Sequence, residues 1–128
     1  MVIDTSAIVA ILRDEPQAER LEQAIVVDPI RLIPVTCVFE ARMVMASRRG
    51  EHALAEIDVW LSKIAAEITP IDAELVDLAT QAWLTYGKGR HPANLNFADC
   101  FSYALAKRAD DALLFIGEYF KQTDIEAA

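Results

Sequence analysis

Apolar and polar positions alternate along the chain on two periods. Val2 and Ile3 open it as a short apolar strand with no polar partner face, as in a strand buried on both sides. Asp4 ends that run, and Ser6 is a good N-cap for a helix over Ala7–Leu12. Pro16 suits the first turn of a second helix, to about Ala24, with Ala18, Leu21, Ala24 and Ile25 at helical spacing. Arg31–Val35 reads as a strand with Pro34 near its end. Thr36 then caps a helix to about Arg49, and Gly50 stops it. Leu54, Ile57, Leu61 and Ile64 predict a helix over His52–Ala65. Glu67–Thr69 is a third strand, closed by Pro70. Asp72 caps a helix over Ala73–Tyr86, with Leu75, Leu78, Ala79 and Ala82 on one face. Two glycines, a proline and two asparagines make Tyr86–Phe97 a loop. A helix over about Ala98–Arg108 follows, then an apolar strand, Leu113–Ile116, and a turn at Gly117.

Strands alternating with helices predict an α/β fold: a mainly parallel sheet of about four to five short strands, flanked by helices on both faces. The length of 128 residues, 54% of them hydrophobic, suits a single domain over residues 1–128. No repeat, low-complexity segment or linker interrupts it. Cys37 and Cys100 are too few for a disulfide framework and sit in apolar surroundings, so they read as reduced thiols of a cytoplasmic protein. No apolar run reaches the ~18 residues of a membrane span. The opening lacks the basic region of a signal peptide.

The formal net charge is −8. That excludes broad electrostatic attraction to nucleic acid and leaves a basic partner or a cation-binding carboxylate cluster. The placement of the acids favours the cluster. Ligands of a parallel sheet bind beyond the carboxyl ends of its strands. Asp4 ends the first strand and Glu118 follows the fourth. Asp99 opens the helix after the polar loop, and Glu40 lies early in the helix after the second strand. Glu40 and Asp99 sit in apolar stretches, where a lone carboxylate is costly unless paired or bound to a cation. Oxygen-only ligands favour Mg²⁺ or Mn²⁺, and no histidine or cysteine is placed for zinc. Each acid also has a plainer reading: Asp4 as a helix cap, Asp99 as a complement to a helix dipole, Glu40 as a partner of Arg42, Glu118 as a turn residue.

Four stretches together resemble the PIN-domain ribonucleases, and within them the VapC-type toxins of bacterial toxin–antitoxin pairs. MVIDTSAIVAIL is similar to the family's first strand and its metal-binding aspartate, here Asp4. VFEARMV is similar to the helix that carries its glutamate, Glu40. GKGRHPANLNFADCFSYALAK is the most specific stretch, and its aspartate is Asp99. LLFIGEYFKQTDI is similar to the closing strand and turn. That turn departs from the family's GDDF- or GNDF-like form. Glu118 keeps a carboxylate on a longer arm, Tyr119 replaces a second acid, and Asp124 is a possible substitute.

The resemblance implies a metal-dependent endoribonuclease in which Asp4, Glu40 and Asp99 hold Mg²⁺ or Mn²⁺, with Glu118 supporting a second ion or orienting water. It implies in-line attack leaving a 5′-phosphate and a 3′-hydroxyl. It also implies an antitoxin that covers the site, and a homodimer. The apolar residues Ile8, Val9, Ile11 and Leu12, and those around Trp60, are candidates for these surfaces. Thr5 and Ser6 read as supports of Asp4. Lys88, Arg90 and His91 form a basic patch before Asp99, and Arg42, Arg48 and Arg49 a second one for RNA phosphates. At helical spacing, Trp60, Trp83 and Tyr86 read as core or interface residues before base-stacking ones. Two rival readings stay open. One is a catalytically weakened PIN module that mainly binds an antitoxin or RNA. The other is a phosphatase of the haloacid-dehalogenase type, disfavoured because Ser6 stands where its second aspartate belongs.

Overall fold

Why the first acid sits at a strand end is clear from the sheet. A computed structural model describes residues 1–128. The elements, in chain order, are β1 (Val2–Ile3), α1 (Thr5–Leu12), α2 (Ala18–Val27), β2 (Leu32–Pro34), α3 (Val35–Arg49), α4 (Ala53–Lys63), β3 (Glu67–Thr69), α5 (Ala73–Tyr86), α6 (Phe97–Ala109) and β4 (Leu113–Leu114). The four strands form one sheet in the order β3-β2-β1-β4. All pairings are parallel, with Val2 opposite both Leu32 and Leu113.

Successive residues of a strand point to opposite faces, and here each face has its own core. Ile3, Ile33 and Leu114 pack with α1 to α4 in a cluster of 17 buried residues. Val2, Leu113 and the partly buried Leu32 pack with α5, α6 and Phe120 in a cluster of 15. Strands covered on both sides carry no polar face, which is the pattern Val2–Ile3 and Leu113–Leu114 show.

The predicted elements are all present. Their ends differ where a cap was misjudged. Asp4, not Ser6, is the N-cap of α1: its side chain accepts from the Ser6 N–H. Thr36 is inside α3, which starts at Val35 after Pro34 and has no side-chain cap; its hydroxyl is buried without a partner. The second helix starts two residues past Pro16, at Ala18. Asn96 caps α6 in a reciprocal capping box with Asp99. The fourth strand is two residues long, ending at Leu114.

Ile8 and Ile11 are core residues, and so is Trp60. Of the apolar residues named as candidate partner surfaces, these three are therefore not free to form one. Trp83, by contrast, is 43% exposed. No helix is long and apolar enough to cross a membrane.

Candidate metal centre

Chain order changes direction at β1, whose two neighbours are β2 and β4. Such a switch point opens a crevice beyond the strand ends. The crevice here, about 280 Å³, is lined by Asp4, Ser6, Glu40, Asn96, Asp99 and Tyr119 among others. Three of the four predicted acids therefore share one cleft.

Asp4 is 2% exposed and held by three donors. Its Oδ2 accepts from the Ser6 N–H at 2.9 Å and the Ser6 hydroxyl at 2.6 Å, and its Oδ1 accepts from the Ser102 hydroxyl at 2.6 Å. A carboxylate offers about four lone-pair sites, so one on Oδ1 is left over. Ser6 Oγ also accepts from the Ile116 N–H at 3.0 Å, which ties the first turn of α1 to the chain leaving β4. Ser102 was not singled out in the sequence. A serine in an otherwise apolar helical run, FSYALA, was the available signal. Thr5 is buried beside the Cys37 thiol, but its hydroxyl meets no partner at hydrogen-bonding geometry.

Asp99 occupies the third position of α6. Its Oδ2 accepts from the Asn96 N–H at 2.8 Å, while its own N–H donates to Asn96 Oδ1 at 2.9 Å. Burial, the charge of Asp4 and then that of Glu40 push its carboxyl up to about 7; the Asn96 N–H opposes them. Glu40 is half-buried on the second turn of α3. Arg42 does not neutralise it, because Arg42 pairs with Asp58.

Glu118 is not brought to this cleft. Its side chain is 74% exposed, pairs with Lys121 at 2.6 Å, and lines a neighbouring hollow with Gln17 and Arg20. Tyr119 faces the cleft in its stead. Asp124 does not substitute: it accepts from the Tyr103 hydroxyl and pairs with Lys107 at 3.1 Å, away from the cleft. Lys88 is exposed, and Arg90 lies 4.2 Å above the ring of Trp83. The His91 ring accepts from the Ala93 N–H and packs edge-on against Tyr86, a structural role within its loop.

An all-oxygen donor set with unrelieved mutual repulsion suits a hard divalent cation. No three acidic, histidine or cysteine side chains converge closely enough to cage an ion alone. That fits Mg²⁺, which keeps several waters and takes one or two carboxylates plus substrate phosphate.

The PIN domain family model matches residues 1–126. The chain is 50% identical to a protein named Ribonuclease VapC from Mycolicibacterium smegmatis over 127 residues, covering 99% of this chain and 98% of the relative. It is also 50% identical over 125 residues to Ribonuclease VapC30 of Mycobacterium tuberculosis, covering 98% and 95%. In fold it is similar to the crystal structure of Mycobacterium tuberculosis VapC20, described as a sarcin-ricin loop cleaving toxin. The TM-score is 0.80 at 17% identity, over 99% of this chain and 97% of that one.

Proposed function

The chain belongs to the PIN-domain family and, within it, to the VapC ribonucleases, and from that premise we propose that the cleft holding Asp4, Glu40 and Asp99 is its catalytic centre. The protein is an endoribonuclease toxin. The observation that carries the assignment is that those three carboxylates line one cleft beyond the end of β1, where burial first, and then the charges of Asp4 and Glu40, push Asp99 up to about 7.

Asp4, Glu40 and Asp99 are the residues to hold Mg²⁺ or Mn²⁺, directly or through water. Bound there, such an ion supplies an activated water and offsets charge on the attacked phosphate. The protein's own groups prepare the site. Ser6 and Ser102 hold Asp4 in one orientation, and the capping box with Asn96 does the same for Asp99. Burial of Asp4 keeps bulk water from screening its charge. Tyr119, half-exposed on the rim, offers a face to the RNA chain. Lys88 supplies positive charge for phosphates outside the cleft, and Arg90 does so from above Trp83, while Arg42 is engaged with Asp58.

A single domain over residues 1–128 carries this activity, acting on cytoplasmic RNA as a homodimer and held in check by a cognate antitoxin. Cleavage of RNA that requires Mg²⁺ or Mn²⁺ and is lost in Asp4→Asn is the expected result. Cleavage that persists in EDTA would overturn the metal assignment.

One observation favours a second reading. The turn after β4 sends Glu118 outward to Lys121, so the cleft has three acids and no fourth. A catalytically weakened PIN module that mainly binds an antitoxin or RNA fits that loss. Calorimetry with Mn²⁺ separates the two: binding that disappears in Glu40→Gln supports the nuclease, and no binding by the unaltered chain supports the module.

A further inference from the structure

Buried beneath the cleft is a hydrogen-bonded chain that no acidic motif accounts for. Cys37, on the first turn of α3, and Ser102, in α6, are both fully buried. Cys37 Sγ lies 3.0 Å from Ser102 Oγ, and Ser102 Oγ lies 2.6 Å from Asp4 Oδ1. A carboxylate only accepts. The single hydroxyl hydrogen of Ser102 therefore goes to Asp4, and the thiol hydrogen of Cys37 goes to Ser102. With Asp4 ionised, both bonds run toward its carboxylate.

The positions along the helices give this chain its significance. Glu40 stands three residues after Cys37, and Asp99 three residues before Ser102. Residues three apart are neighbours on a helix surface. The Cys37–Ser102 contact thus joins α3 to α6 one helical turn from the two residues that carry the other carboxylates. Its far end grips the third.

We propose that Ser102 is a positioning residue for the nuclease reaction: braced by Cys37, it holds Asp4 Oδ1 and sets the spacing of Asp4, Glu40 and Asp99. The proposal rests on the catalytic reading of the cleft. Ser102 touches neither RNA nor the scissile phosphate. It acts through Asp4, as an outer partner of a metal ligand does.

Ser102→Ala removes the hydroxyl with little change in volume. Outer-shell partners of this kind are worth about 10–100-fold in metal affinity or activity. The expected result is Mn²⁺ affinity, by calorimetry, weakened about 10-fold or more, with kcat lowered to match and KM for RNA unchanged. Ser102→Cys keeps size and a weak donor, and is expected to fall between Ser102→Ala and the unaltered chain. If Ser102→Ala does not fold, Ser102→Cys alone decides by the same readout. Unchanged Mn²⁺ affinity in a folded variant of either kind overturns the proposal and assigns Ser102 to packing alone. If the unaltered chain neither binds Mn²⁺ nor cleaves RNA, the catalytic reading itself falls, and the proposal with it.

Discussion

Replacing Asp99 by asparagine is expected to stabilise the metal-free protein while destroying its activity. The carboxyl of Asp99 is raised from 3.8 to about 7, first by burial and then by Asp4 and Glu40. An acid raised by folding binds more protons in the native than in the unfolded chain between those two values. Stability therefore falls as pH rises from about 4 to about 7, and the cost is complete above that. At 1.36 kcal/mol per pH unit, the ceiling is about 4 kcal/mol. Asp99 is only half-buried, and asparagine gives up part of a charge-assisted bond from the Asn96 N–H, so the net gain is about 1–3 kcal/mol near pH 8. The cap itself survives, since an amide oxygen accepts from Asn96 as well.

The assay is urea unfolding of Asp99→Asn and the unaltered chain in EDTA, near pH 4.5 and near pH 8, at one protein concentration. The variant is expected to be more stable near pH 8 and no more stable near pH 4.5. Adding saturating Mn²⁺ near pH 8 is expected to reverse the order, because a ligand bound only by the native chain stabilises it by RT ln(1 + [L]/Kd). A gain of equal size at both pH values, or a loss near pH 8, would show that neither burial nor the charges of Asp4 and Glu40 raise Asp99, and the cluster argument would fail.

Three further outcomes are expected. Ser6→Ala removes the acceptor of the Ile116 N–H and a donor to Asp4, and is expected to cost about 1–3 kcal/mol in urea unfolding; a neutral result would mean the link from α1 to the chain leaving β4 is not needed. Burial first, then Asp4, pushes the Cys37 thiol up to about 12, so Cys37 is expected to resist a thiol reagent until the chain unfolds; modification at native rates, mapped by mass spectrometry, would contradict its burial. Tyr119→Asp puts an acid where the cleft has an aromatic ring, and is expected to tighten Mn²⁺ binding by calorimetry; unchanged affinity would show that this side chain does not reach the ion.

The fold was legible because β1 and β4 are buried on both faces. Val2–Ile3 and Leu113–Leu114 have no polar side to disguise them, and their residues divide cleanly between the two cores. Helix interiors were legible from spacing. The Ala73–Tyr86 bounds and the stop at Gly50 were legible too, but the start of α1 was not, because two residues competed for one cap. Asp4 and Ser6 are both good caps; the helix took Asp4, and Ser6 became its donor. Asp72 had no rival and was placed correctly. Asp4, Glu40 and Asp99 were legible as acids in apolar surroundings. Ser102 was not, since a serine inside a helix carries no sign of which helix or strand it will face.

The altered turn after β4 shows why Glu118 lies outside the cleft. Gly117 has φ +106°, which a side chain rarely tolerates, and the chain turns there before the short helix Phe120–Gln122. Phe120 is buried against Phe115, with ring centroids 5.1 Å apart, and this anchors the turn from below. With the turn pinned at Phe120, the residue just before it, Tyr119, faces the cleft, and Glu118 faces solvent and Lys121. The motif therefore has one position that serves the cleft and one that does not, and conserving charge at the second adds nothing to the site. What distinguishes this chain from the family's GDDF-like form is thus the ring at Tyr119. The carboxylate at Glu118 is present, but spent on a surface ion pair.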